Sequence, residues 1–197
     1  KGEDSYTYNL NLDGNYETFP LQLGSGKYKV QFFSQVSGNK YSSVAALTVP
    51  VELADETLPY LYPNQYCWYA DGDAAVQKGA ELCAGLESAA QKTESVYGFL
   101  TANIMYDYIQ ALTVEKGYLP DVNAVLAGKK GICFDFSALM ACMLRSQGVP
   151  VQLVIGYADT QYHAWNLVYI DGEWVRYDAT AAVTHTTVKQ YTTERVY

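Results

Sequence analysis

Residues 131–180 read GICFDFSALMACMLRSQGVPVQLVIGYADTQYHAWNLVYIDGEWVRYDAT, and the reading of this stretch decides the fold. From Ala138 to Leu144 every residue is apolar. A helix apolar on all sides is buried on all sides, so a buried helix is expected over 133–147, with Gly148 at its C′ position and Val149-Pro150 ending it. Three strands should follow, at Val151–Tyr157, His163–Ile170 and Glu173–Asp178. Asp171-Gly172 between the last two is a strong signal for a two-residue hairpin loop.

That loop makes a geometric prediction. With Asp171 and Gly172 as the loop, Ile170 faces Glu173, Trp165 faces Asp178 and His163 faces Thr180. Same-face positions step by two, so His163 and Asp178 share a face as diagonal neighbours, about 7–8 Å apart at Cα and within side-chain reach. A three-residue loop would put Asp178 on the other face. A carboxylate bonded to one ring nitrogen of an imidazole fixes its tautomer and leaves the other for a nucleophile.

The candidate nucleophile is Cys133, with a packed core thiol the alternative. It follows Gly131-Ile132 and opens the buried helix, where free N–H groups and partial positive charge favour a thiolate and can hold an oxyanion. Gly131 permits close approach of a substrate or of neighbouring backbone. Cys142 lies about two and a half turns further along, on the far side of the helix, and reads as core. Asp135 in the first turn reads as support for the helix dipole. Trp165 and Trp174 fall on the face of His163, either packing beside it or lining a substrate groove. His185 lies outside every motif and reads as surface or packing.

Outward from this stretch, an Ala-rich helix is expected over 73–91, capped by Asp71 or Asp73. A second is expected over 94–104, with Tyr97, Leu100 and Ile104 on one face. Leu119-Pro120-Asp121 breaks the chain, and Gly128 to Gly131 opens it before the Cys133 helix. Ala54 to Pro63 reads as a connector. Over residues 5–53, apolar residues alternate with polar ones in four runs: Tyr6 to Leu12, Phe19 to Leu23, Tyr28 to Phe32 and Leu47 to Leu53. Turn residues separate them at Asp13-Gly14-Asn15, Gly24-Ser25-Gly26 and Ser37-Gly38-Asn39. Pro50 marks an edge strand or a bulge. The expectation is a small antiparallel β domain over 1–54, a half-sandwich leaning on an α+β core over 55–197 in which a helical layer packs on an antiparallel sheet.

Composition narrows the function classes. Apolar residues make up 49% of the 197, which fits a folded chain. The net charge of −8 and the lack of a basic cluster argue against nucleic acid and anionic membrane as partners, and no apolar run is long enough for a membrane span. Charged residues are only 17%, which suits an extracellular or cell-surface protein whose leader or anchor lies outside this sequence. Cys67, Cys83, Cys133 and Cys142 include no CxxC pair, and His163 and His185 are the only histidines. A Cys/His zinc site and a dense disulfide framework are therefore not expected. Cys67 and Cys83 read as separate packed thiols, with a bond between them the alternative.

The runs GKKGICFDFSALMACMLRSQGVPVQLVIGYA and YHAWNLVYIDGEWVRYDAT resemble the transglutaminase core family, over roughly residues 60–182 and most strongly over 131–180. Tyr106-Asp107-Tyr108 fits the same pattern. The chain is also similar to a bacterial exported subgroup with a β-rich segment ahead of the core. The resemblance implies a papain-like fold and a Cys133, His163, Asp178 triad acting on protein or peptide substrates. The large animal cross-linking enzymes add an oxyanion-holding tryptophan and acidic calcium loops. Trp68 is the only tryptophan upstream of Cys133 and does not align to that role, and no calcium loop is visible. No metal or other cofactor is therefore expected. Gln110, Tyr106 and Trp68 are the candidates for the second oxyanion donor. A thiol hydrolase (peptidase or amidase) is the expectation. A cross-linking or deamidating acyltransferase and a non-enzymatic surface binding module are the alternatives. Substrate identity and oligomeric state stay open.

Overall fold

The computed structural model describes every residue except Leu12, Asp13 and Asn15. In chain order the elements are β1 (Gly26–Ser37), β2 (Lys40–Val51), α1 (Ala74–Cys83), α2 (Ala89–Asn103), β3 (Met105–Tyr106), α3 (Tyr108–Thr113), α4 (Val122–Gly128), β4 (Lys130–Gly131), α5 (Cys133–Arg145), β5 (Val151–Ala158), β6 (Gln161–Ile170), β7 (Glu173–Tyr177), α6 (Ala179–Val183) and β8 (Tyr191–Val196). The fold is α+β of the papain-like type. An antiparallel sheet in the order β7-β6-β5-β8 carries α5 on one face, and α1, α2 and α4 pack around α5.

The apolar run makes α5 the centre of the molecule. Every residue from Asp135 to Arg145 is buried. After α5, Gly148 takes φ +75° and Val149 N–H returns to Leu144 O at 3.0 Å, the expected left-handed stop. Arg145 closes this end. Only 2% exposed, it donates to the carbonyls of Val151, Tyr62 and Tyr197.

The hairpin register is the expected one. Ile170 pairs with Glu173, Val168 with Val175 and Asn166 with Tyr177. Asp171 and Gly172 take φ values of +50° and +91°, as a two-residue turn matching the strand twist requires. On the other edge, β8 pairs antiparallel to β5 with a register shift beside Gly156. There the backbones come so close that a Cβ on Gly156 would stand 2.0 Å from Thr192 O. Asp159 ties the start of β8 down by accepting from the N–H groups of Lys189 and Gln190.

The N-terminal part departs from expectation. Instead of four strands there is one hairpin, β1–β2, turning at Gly38 with φ +52°. Pro50 sits in it opposite Lys27, in a two-stranded sheet where both strands are edges, as expected of a strand proline. Of the alternating residues, Tyr28 is buried and Val30, Val49 and Val51 are half-buried, while Phe32 and Leu47 are exposed, so the alternation buries a face at one end of the hairpin only. The first two expected runs are not strands among the described residues. Tyr6 and Tyr8 pack on Tyr197, and Tyr8 also on Tyr66. Backbone groups of Asn9 and Asn11 bond to the side chains of Gln65 and Glu17, which replaces a ladder. Leu12 and the Asp13 and Asn15 positions of the expected turn lie outside the described residues.

The helix expected over 73–91 ends at Cys83, because Gly85 takes φ +73°. Ser88 then caps α2 through Gln91 N–H at 3.2 Å. Asp73 precedes α1, but its carboxylate accepts from Ala70 N–H at 2.9 Å and does not cap the helix through its side chain. The pattern did not announce α3, α4, α6 or β8. No helix among the described residues is long and apolar enough to cross a membrane.

Candidate active site

Cys133 is the first residue of α5 and is partly exposed. The first bond of the helical ladder runs from Phe136 N–H to Ile132 O at 3.1 Å. The N–H groups of Cys133, Phe134 and Asp135 therefore lie ahead of the ladder, at the positive end of the helix. Gly131 explains itself here. A Cβ on it would stand 2.6 Å from Asp135 Cβ, because Asp135 folds back and accepts Ile132 N–H at 2.8 Å. Asp135 Oδ1 also accepts Tyr118 Oη at 2.6 Å, and Oδ2 accepts Gln110 Nε2 at 3.1 Å. Burial pushes the Asp135 carboxyl up in pKa against these three donors. The residue expected to support the dipole thus also ties the 107–118 segment to the start of the Cys133 helix.

His163 sits on β6, and its Nε2 lies 2.8 Å from Asp178 Oδ2. Both side chains are largely buried, at 13% and 7% exposure. Asp178 ends the β7 arm and begins α6, so its carboxylate divides. Oδ1 accepts Ala181 N–H at 2.9 Å as the helix cap, and Oδ2 faces the imidazole. Cys133 lies close enough to the ring to raise its pKa. Burial pulls the His163 pKa down, but the bond to Asp178 and the neighbouring Cys133 outweigh burial and raise it to about 9. Burial of Asp178 acts to raise its pKa, yet His163, Ala181 N–H and Tyr191 together hold it below the ordinary carboxylate value. His163 and Asp178 thus form a hydrogen-bonded pair, and Cys133 at the start of α5 adjoins the imidazole.

The model of the transglutaminase-like superfamily matches residues 76–179, more than half of the chain. The chain belongs to the transglutaminase-like superfamily. No curated protein matches it. Among solved structures, a candidate cysteine protease from Cytophaga hutchinsonii is similar with a TM-score of 0.54 and 16% identity, covering 92% of this chain and 82% of that one. The periplasmic domain of TgpA from Pseudomonas aeruginosa is similar with a TM-score of 0.52 and 18% identity, covering 66% of this chain and 48% of that one, about half its length. Identities this low carry the shared fold alone.

The other residues singled out in this transglutaminase-like chain part company. Tyr106 lies near the nucleophile on β3, and burial together with neighbouring Cys133 raises its hydroxyl pKa. Gln110 is close by, but its amide donates to Asp135. Trp68 is 49% exposed and lines a ≈ 400 Å³ cavity with Asp73, Pro120 and Asp121, among which no triad residue is found. Trp165 is no groove wall. It is 2% exposed and lies beside the His163 ring, with centroids 6.3 Å apart and planes 22° from parallel. The helix α5 packs on the opposite face of β6, where Asn166 Nδ2 donates to Ser137 O at 3.0 Å and Ala164 and Val168 join the core; Trp165 is covered instead by Tyr191. Cys67, Cys83 and Cys142 are free and buried. Among the described residues no three His, Cys, Asp or Glu side chains cluster as metal ligands would.

One neighbour of the triad was not foreseen. Tyr191 Oη donates to Asp178 Oδ2 at 2.8 Å. It arrives on β8, after α6 and a loop, so no local spacing links it to the hairpin. The only sequence hint was the alternation at the end of the chain, which is too polar to stand out.

Proposed function

We propose that the protein is a thiol-dependent acyl-transfer enzyme with Cys133 as nucleophile, His163 as general acid and base, and Asp178 as the group that orients the imidazole. The His163–Asp178 hydrogen bond, set beside Cys133 at a helix N-terminus, is the observation that carries this reading. The Cys133 sulfur bonds to the carbonyl carbon of a peptide or carboxamide, and the π pair moves to oxygen. N–H groups at the start of α5 stabilise that oxyanion, and Tyr106 is the side chain best placed to add to them. As the oxyanion collapses, the C–N bond breaks and the imidazolium gives its proton to the departing nitrogen. Neutral His163 then takes a proton from the acceptor while the acceptor attacks the thioester, and the C–S bond breaks to return the thiolate.

We take the acceptor to be water, making this a peptidase or amidase. Cys133 is partly exposed, so water at bulk concentration reaches a thioester there without a site of its own, whereas an amine must be bound. The low charge content suits a place of action outside the cytoplasm, in keeping with the periplasmic origin of the TgpA domain.

The test is alkylation of Cys133 by iodoacetamide against pH, in the parent and in His163→Ala. A thiol that reacts at neutral pH and loses that reactivity in the variant supports the reading; equally slow labelling in both rejects it in favour of a binding module. Incubation of a glutamine-containing peptide with a labelled amine then separates the acceptors. Release of ammonia or a new peptide terminus without amine incorporation is expected, and incorporation makes the protein a cross-linking acyltransferase.

A further inference from the structure

We propose that Tyr191 is a positioning residue for the triad: its hydroxyl shares the Asp178 oxygen that holds His163 and thereby sets how readily the imidazole gives up its proton. This rests on the proposed acyl transfer, in which His163 must both keep a proton beside the thiolate and release it to the leaving nitrogen.

Asp178 Oδ2 takes two donors, His163 Nε2 and Tyr191 Oη, each at 2.8 Å. A carboxylate oxygen that spends part of its charge on a hydroxyl is a weaker acceptor for the imidazolium. The same hydroxyl helps keep the carboxylate ionised where only 7% of the side chain meets solvent. Tyr191 is held for this task from three sides. Its ring meets Trp165 edge-on, with centroids 5.0 Å apart. The Arg176 guanidinium lies 4.0 Å from the ring centroid. Gly156 lets β8 close on β5.

The charged and titratable groups around the imidazole are Cys133 on α5 and Asp178 at the end of β7. Behind them, Tyr97 on α2 donates to Asp178 O at 3.4 Å, while Arg176 on β7 and Asp159 after β5 act on Tyr191. Only Tyr191 among the outer groups reaches the oxygen that His163 uses.

Tyr191→Phe removes the hydroxyl and keeps the ring between Trp165 and Arg176. The measurement is an NMR titration of the His163 ring nitrogens. The two histidines are told apart by His185→Asn, an exchange suited to that residue's φ of +54°. The His163 midpoint is expected to rise by about half a unit or more, the share of one charge-assisted hydrogen bond passed on to the imidazole, and the alkaline limb of the Cys133 alkylation profile should rise with it. A midpoint that stays put or falls overturns the proposal, because a merely structural tyrosine would change melting temperature and leave the titration alone. Should alkylation ignore His163→Ala, the acyl-transfer reading fails on its own, and the imidazole titration still decides whether Tyr191 acts through Asp178.

Discussion

Replacing Asp178 by Asn tests the triad at the point where its electrostatics are largest. His163 has a pKa of about 9 against an ordinary 6.5, and each pH unit is worth about 1.4 kcal/mol. The folded protein therefore holds this proton about 3 kcal/mol more tightly than free histidine does. Burial opposes that; the bond to Asp178 and the neighbouring Cys133 supply it. A neutral carboxamide removes the Asp178 contribution, and each pKa unit lost shifts the balance from the imidazolium–thiolate pair to the neutral pair about tenfold. It also turns the ring around chemically. With the carboxamide oxygen on Ala181 N–H, the NH₂ group takes the Oδ2 place and faces both His163 Nε2, which becomes an acceptor, and Tyr191 Oη, which can no longer donate there. The ring proton then moves to Nδ1, the nitrogen that Asp178 leaves free to serve as base. The assay is the rate of Cys133 alkylation by iodoacetamide from pH 5 to 10, with thermal melting as a check on folding. The parent should react across neutral pH and change near pH 9; Asp178→Asn should lose about tenfold or more at pH 7. A folded variant with a rate within about twofold of the parent would show that the hydrogen bond at 2.8 Å does not govern the thiol.

Stability should follow the same proton. Because the folded value of His163 lies above its unfolded value, the folded state binds the proton more tightly; this contribution is whole below pH 6.5 and is lost as pH rises through about 9. Asp178 has the opposite sense: its folded value is depressed, so its contribution is lost as pH falls through that value. The His163 share of stability to urea, read as parent against His163→Gln, should fall by about 2–3 kcal/mol between pH 7 and pH 10, and an equal fall in the two proteins would refute the coupling. Arg145→Met leaves the carbonyls of Val151, Tyr62 and Tyr197 without their buried donor and should cost about 3 kcal/mol in the same assay; a loss under about 1 kcal/mol would show that water or backbone relaxation replaces it. Gly156→Ala places a Cβ 2.0 Å from Thr192 O, so β8 must move. A destabilisation of about 1–3 kcal/mol is expected, with the His163 titration changed because Tyr191 moves too; an unchanged titration would separate β8 from the site.

The hairpin was legible because its signals are local. Asp171-Gly172 favours a two-residue turn, the turn sets the register, and period two carries His163 and Asp178 to one face. The α5 helix was equally plain from an uninterrupted apolar run. The N-terminal strands misled because alternation says only that one side of a chain prefers burial. Tyr6 and Tyr8 found that burial against Tyr66 and Tyr197, and no pairing strand was needed. The short helices α3 and α4 were missed for a related reason. Each is about two turns or less and is started by an aspartate bonding to two N–H groups, Asp107 and Asp121, so capping rather than apolar periodicity creates it.

The sequence by itself determined that Cys133 opens a helix buried on all sides and that an imidazole and a carboxylate leave one face of a hairpin together. These follow from propensity, periodicity and turn chemistry among residues near one another in the chain. Only the tertiary structure decided that α5 lies against that hairpin so that Cys133 adjoins the imidazole, that Asp135 ties Gln110 and Tyr118 to the helix start, and that β8 crosses to the far edge of the sheet and brings Tyr191 to Asp178. Those contacts join distant segments. They are chosen by how the apolar faces close around α5 and by where a missing Cβ lets two backbones touch, and no local pattern records either.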